Sequence, residues 1–185
     1  NQAVDLLASG ISITPEREEK FRLVFSDPIL SYPQTLVTLR NKAPFADGRL
    51  LPKSIAATAS TTNETLAKKL AEPTGAKVVP YEGSGTYERM FADLLNGAVE
   101  SILMDKPYAL ERLEKNWPGG HAPVRTTDVL PPLVEGVEPE KIGLAFRIAD
   151  TRLAAEVNEQ LAALAPEKPA LIRKFFPQPE AFLHE

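Results

Sequence analysis

The residues with the clearest chemical content are Ser9, Gly10, Ser12 and Arg17, near the start of this 185-residue chain. An apolar run ends at Ser9-Gly10, where a small side chain and a glycine let a ligand approach the backbone. A hydroxyl follows at Ser12 and a guanidinium at Arg17, whose planar fork of donors matches a carboxylate. The set suits an anion. The same residues also fit a plainer arrangement: a strand, a turn and an arginine ion-paired with Glu16 or Glu19, a common and weak surface feature.

Other catalytic chemistries find little support. The chain has no cysteine, which removes disulfides, thiolate catalysis and cysteine-ligated zinc. Its two histidines, His121 after Pro118-Gly119-Gly120 and His184 near the C-terminus, read as surface residues, and no metal or cofactor is expected. Neither histidine lies near a plausible nucleophile and orienting carboxylate, so no hydrolytic triad and no catalytic residue is assigned. Glu82-Gly83-Ser84-Gly85-Thr86 is glycine-rich ahead of a helix but lacks the Gly-Lys-Ser/Thr ending of a phosphate loop, and reads as a turn. Trp117 suits a lid aromatic or a residue packed under a loop, and Met104 suits a ligand contact or the core.

The elements that must hold these residues follow from periodicity. Ala3 to Ala8 reads as a short buried strand, with further strands at Phe21 to Phe25 and Leu36 to Leu39. Helix is expected to begin only later, at Thr61-x-x-Glu64, a capping-box spacing with Leu66, Ala67 and Leu70 on one face. Ala76 to Tyr81 and Val99 to Met104 read as strands. Between them Tyr87, Met90, Phe91, Leu94 and Leu95 form a helical stripe closed by Asn96-Gly97, and Pro107 sits in the first turn of the next helix. This alternation predicts parallel βαβ units, whose ligands bind at the carboxyl ends of the strands. Thr58 to Thr62, Glu82 to Thr86 and Met104-Asp105 would then share one cleft. After the proline-rich stretch Pro118 to Pro139, Ile142 to Ile148 reads as a strand, Asp150 as a helix cap, and Pro169 as the opening of a last helix ending at Phe176.

Net charge is −4 with 21 scattered basic residues, so no polyanion-binding stripe is present and nucleic acid is not an expected partner. No apolar run approaches the ~20 residues that span a bilayer. The start at Asn1-Gln2, directly before an apolar strand, suggests that the natural N-terminus lies upstream.

Four ordered blocks carry a resemblance. "DLLASGISITPER" followed by "FSDP", then "IAATASTTNETL", "LLNGAVESILMDKP" and "KIGLAFRIADTRLAAEVNEQL" resemble the periplasmic solute-binding proteins, family 3, of polar amino-acid ABC importers. The resemblance implies an α/β, two-lobed periplasmic-binding-protein-like fold of type II with two crossover strands, near Leu36 to Arg40 and Gly143 to Arg147. Residues 1–40 and 142–185 would form the first lobe, incomplete at its N-terminal side, and 41–141 the second. It further implies a non-enzymatic, monomeric receptor, periplasmic or extracellular, that captures an amino acid and hands it to an ABC permease. Carried over, Arg17 and Ser12 would grip the α-carboxylate and the Ser9-Gly10 backbone would face the head group. Thr61 and Thr62 would hold the carboxylate from the second lobe, and Asp105 would pair with the α-ammonium. The family's usual glycine before the threonine pair is Ser60 here, which lacks glycine's freedom at positive φ. Related readings on the same fold are a cyclohexadienyl-dehydratase-like lyase, for which a carboxylate is wanting after Asp105 until Glu111, a ligand-sensing domain, and a relic that binds nothing.

Overall fold

The computed structural model describes residues 4–41, 52–129 and 135–182. Asn1 to Ala3, His184 and part of the proline-rich stretch therefore lie outside the described residues. The chain divides into two compact units, one of residues 1–32 and 138–185, the other of residues 33–137.

The first unit is built on an antiparallel sheet whose middle strand comes late in the chain. Strand β9 (Glu140–Arg147) pairs with β1 (Leu6–Ser12) along one edge. Two short strands, β2 (Leu23–Phe25) and β3 (Leu30–Tyr32), share its other edge end to end. Phe25-Ser26-Asp27-Pro28 makes the join between them. The Ser26 amide donates to the Leu144 carbonyl at 2.9 Å, the Leu144 amide donates to the Ser26 hydroxyl at 3.0 Å, and the Asp27 amide donates to Asn158 at 2.8 Å. Gly143 allows a close approach: a Cβ there would come within 2.9 Å of the Ile13 side chain and 3.3 Å of the Ser26 carbonyl, so a larger residue would force a shift. Helices α5 (Thr151–Leu164) and α6 (Lys168–Phe175) complete the unit. Its buried side chains include Phe25, Tyr32, Ile142, Phe146, Ile172 and Phe182.

Three expectations change here. The first strand runs to Ser12, past Ser9-Gly10, and is mostly exposed rather than buried. Phe21 ends a helix, α1 (Pro15–Phe21), where only strand was expected. The start signals are in the sequence: Thr14 caps the helix, proline takes its first turn and Glu16 follows. Asp150 precedes α5 but makes no side-chain cap bond, because its carboxylate is paired with Arg147 at 2.5 Å.

The second unit holds a five-stranded sheet in the order β6-β5-β7-β4-β8. Strand β5 (Ser54–Thr58) runs parallel to β6 (Lys77–Tyr81) and β7 (Ser101–Asp105), joined through α2 (Thr62–Ala71) and α3 (Thr86–Asn96), as the alternation predicted. Strands β4 (Gln34–Leu39) and β8 (Val124–Asp128) add antiparallel pairing, and α4 (Lys106–Asn116) follows β7. Leu36 to Arg40, expected as a crossover, is thus largely an interior strand of this sheet, and the chain passes between units at Tyr32–Pro33 and Val137–Glu138. Strand alternation sorts the core into two clusters. Val37, Ala56, Ile102 and Met104 pack with Met90, Phe91 and Leu94 of α3, while Leu36, Ile55, Ala57 and Leu103 pack with Ala67 and Leu70 of α2.

Candidate functional site

In the first unit the site residues cluster where β1 meets α1. Between the pairs Leu7–Ala145 and Ile11–Gly143, β1 carries Ala8, Ser9 and Gly10 against the single Leu144 of β9. The excess loops outward as a bulge, with Gly10 at φ 65° and Ser9 and Gly10 exposed. An added Cβ at Gly10 would meet nothing within 4 Å, so it is the backbone conformation alone that calls for glycine there. Past the bulge Ser12 is buried, 6% exposed. Thr14 accepts the Arg17 amide at 3.2 Å and fixes the start of α1, and the Arg17 side chain folds back so that Nη1 donates to the Ser12 carbonyl at 2.8 Å. Arg17 is half-buried and, among the described residues, forms no ion pair, with Glu16 and Glu19 included. Among the described residues its remaining donors have no side-chain acceptor.

The Ser12 hydroxyl, expected to donate to a ligand carboxylate, instead donates to the carboxylate of Glu140 at the start of β9. Sequence reasoning missed Glu140. It stands 128 positions from Ser12, and only the β1–β9 pairing brings the two together.

In the second unit the carboxyl ends of β5, β6 and β7 lie side by side, so Thr58, Tyr81 and Asp105 share one edge of the sheet. After Thr58 the chain turns through Ser60, which takes the left-handed conformation at φ 59° where the resemblance expects glycine. Thr61 caps α2, accepting the Glu64 amide at 3.5 Å and donating its hydroxyl proton to the Thr58 carbonyl at 2.7 Å. The Glu64 carboxylate reaches back to the Ser60 amide at 2.6 Å, a capping box displaced by one residue. Lys68, and then that amide, hold the Glu64 carboxyl below its usual range. The Thr61 hydroxyl proton is therefore engaged in the turn. Gln34, 7% exposed at the start of β4, donates to Asn63 at 2.9 Å and to the Thr62 hydroxyl at 3.5 Å, and its Cα pairs across the sheet with Asp105. Gln34 and Asn63, which sequence reasoning did not single out, thus stand next to Thr62 and Asp105. A glutamine opening a strand carries no periodic signal.

Tyr87, in the first turn of α3, adds an aromatic wall. Its ring lies 4.4 Å from that of Tyr108 on α4, and Arg112 sits over both rings, 5.6 and 4.9 Å from their centroids. Arg112 donates to the Tyr108 hydroxyl and forms an ion pair with Glu88 at 2.6 Å. Burial, opposed by a hydrogen bond with Thr58 and reinforced by the charge of Asp105, moves the Tyr87 phenol upward, which places it among the strand-end residues. Tyr81 donates to Asp93 at 2.5 Å; burial and that carboxylate push its phenol up to about 12. Trp117 packs against Phe91 with ring centroids 6.2 Å apart, and Met104 is 1% exposed in the same cluster, so both belong to the core. Thr86 donates to the Gly83 carbonyl at 2.7 Å and closes the glycine-rich turn. His121 is exposed. Among the described residues no group of three or more His, Cys, Asp or Glu is placed to hold a metal ion.

Each unit by itself thus offers polar groups suited to a small charged molecule: a guanidinium, a carboxylate and a glycine bulge in the first, and amides, hydroxyls and a carboxylate at strand ends in the second. The ABC transporter arginine-binding protein 1 of Escherichia coli (strain K12) is 29% identical over 163 residues, covering 86% of this chain and 60% of its own length. An ancestral arginine-binding protein solved with arginine superposes with a TM-score of 0.71 at 21% identity, over 94% of this chain and 72% of that one. The ancestral amino acid-binding protein AncCDT-1, a precursor of cyclohexadienyl dehydratase, gives 0.69 at 24% identity, over 93% and 69%. At these identities the structural likeness speaks to the fold, the two-lobed α/β fold of periplasmic amino-acid-binding proteins. Residues 1–178 match the bacterial extracellular solute-binding proteins, family 3, and the chain belongs to that family.

Proposed function

We propose that this protein is an extracytoplasmic receptor, periplasmic or extracellular, that captures a polar amino acid and delivers it to an ABC permease. The observation that carries this reading is Arg17: a guanidinium fixed on the Ser12 carbonyl, with no carboxylate paired to it among the described residues, beside a glycine bulge. In this reading Arg17 binds the α-carboxylate, and the Ser9-Gly10 backbone lies against the head group. Thr61 and Thr62 at the start of α2 add amides to the carboxylate, and Asp105 takes the α-ammonium. A zwitterion needs both kinds of partner, since an unpaired buried charge costs several kcal/mol. The family membership and the arginine-binding relative support an amino acid as ligand.

A lyase on the same fold is a second reading, favoured by the likeness to a dehydratase precursor. It would need a positioned acid or base. The first carboxylate after Asp105 is Glu111, exposed on the outside of α4, which weighs against it. Thermal denaturation with each of the twenty amino acids, prephenate and arogenate separates the two readings. A ligand that binds the native state raises the melting temperature according to its concentration over Kd. Stabilisation by one polar group of amino acids supports the receptor; turnover of prephenate or arogenate supports the lyase.

A further inference from the structure

Helix α6 carries Lys168, Arg173 and Lys174 and no acidic residue, and only part of its apolar surface is used in packing. Ile172 is buried beneath the helix, whereas Leu171 and Phe175, and Leu164 at the end of α5, are exposed. These side chains are not scattered. With Ile29, Leu30 and Leu161 they line a cavity of about 400 Å³ that lies wholly within the first unit. Its walls are fixed by bonds outside it. The Asp27 amide donates to Asn158 of α5 at 2.8 Å, the Ile29 amide donates to the Ile142 carbonyl at 2.8 Å, and Phe176 packs on buried Phe182 with ring centroids 4.5 Å apart.

Two charged residues border the cavity, Lys168 and Asp27. Lys168 is half-buried and its ammonium forms no ion pair or hydrogen bond among the described residues, whereas Asp27 is exposed. A partly buried charge is screened less than an exposed one, so the lysine sets the sign of the site. Arg173 and Lys174 add a field of the same sign along the helix. We propose that this cavity is a second binding site, for a linear medium-chain monocarboxylate whose apolar chain lies along the α5 and α6 side chains and whose carboxylate meets Lys168. The proposal stands apart from the receptor function. Its ligand class follows from the lining: one unpaired cation on an otherwise apolar wall calls for one anion on an apolar body. An amino acid head group would bring its ammonium against Lys168 as well. The volume falls in the range of small-molecule sites, roughly 300–1,000 Å³. A flat membrane or a second protein would touch Leu171 and Phe175 and leave the concavity unfilled.

Calorimetry on the full chain would compare hexanoate, octanoate and decanoate with decanol and decyltrimethylammonium. The variants are Lys168→Gln, Lys168→Glu and Ala162→Trp, the last filling the groove from an exposed position. Affinity should rise about fourfold with each added methylene along the acid series. Lys168→Gln should weaken decanoate about tenfold and leave decanol unchanged, a split that loss of packing would not produce. Lys168→Glu should abolish decanoate binding and improve that of decyltrimethylammonium. Ala162→Trp should abolish binding of decanoate and decanol alike while the melting temperature holds. If decanoate binds wild type and Lys168→Gln equally, or if decyltrimethylammonium is the better ligand of the wild-type chain, the assigned ligand class is wrong. Absence of binding across the whole series overturns the proposal. So does occupation of the groove by another surface, seen as dimerisation in sedimentation velocity or as cosedimentation with phosphatidylglycerol vesicles that Ala162→Trp abolishes.

Discussion

The two units carry their polar groups with opposite economies of structure. In the second unit several charged groups near the strand ends have partners: Glu64 with Lys68, Glu88 with Arg112, Lys106 with Asp128, and Asp93 with the Tyr81 hydroxyl. Its sheet is covered on both faces by packed clusters. The first unit keeps Arg17 out of any ion pair among the described residues, and its strand β1 leaves Leu7 41% exposed, with Val4 and Phe21 more exposed still. The difference teaches a division of labour. In the second unit hydroxyls and amides are held by a network of short hydrogen bonds, whereas among the described residues of the first the Arg17 guanidinium is held by the Ser12 carbonyl and no carboxylate.

The comparison can be broken at several points. Leu103→Ala, in the core of the second unit, should cost about 2–5 kcal/mol of stability in urea titration, whereas Leu7→Ala on the exposed strand should cost well under about 1 kcal/mol. Equal losses would end the contrast in packing. Arg17→Ala should weaken amino-acid binding by about a hundredfold or more in calorimetry, and Arg17→Lys should remain strongly impaired, since an ammonium does not reproduce the bidentate fork. Wild-type affinity in the lysine variant would remove the guanidinium from the site. Asp105→Asn should reduce amino-acid affinity about tenfold, less than Arg17→Ala if the first unit carries the dominant charge.

Smaller effects sharpen the picture within the second unit. Ser60→Gly relieves a left-handed serine at φ 59° but adds flexibility to the unfolded chain, so a net gain of no more than about 1 kcal/mol is expected from thermal melts. Tyr81 gives a pH signature. Its phenol ionises at about 12 in the folded protein, above the ordinary value of 10. The native state therefore holds the proton more tightly than the unfolded one. The resulting stability is fully present below pH 10 and is lost as pH rises from there through about 12. Tyr81→Phe should flatten that decline in melting temperature; an unchanged decline would place its source elsewhere.

Local chemistry was legible wherever it is written in neighbouring residues. Thr61-x-x-Glu64 names a helix start because the capping oxygen and the reciprocating carboxylate lie within one turn, and the observed cap differs only in that Glu64 meets the Ser60 amide. The βαβ alternation from Ser54 onward predicted the three parallel strands, since period 2 and period 3.6 alternate cleanly there. Helix α1 was legible and overlooked: Thr14-Pro15-Glu16 is a cap, a first-turn proline and a first-turn acid, but only Arg17 to Phe21 follow before the chain turns. Seven residues give too short a stripe for periodicity to register.

What the sequence determined by itself is a good part of the local conformation and the family: the Thr61 cap, the strand and helix periods of the second unit, and the ordered blocks that mark an extracellular solute-binding protein. Only the tertiary structure decided which distant groups meet. Ser12 finds Glu140 because β9 returns antiparallel beside β1, and Gln34 finds Asn63 because β4 pairs antiparallel with β7 at the edge where α2 begins. Strand order is set by the burial of whole faces, a sum over many side chains, so no single stretch of residues encodes the partners it creates.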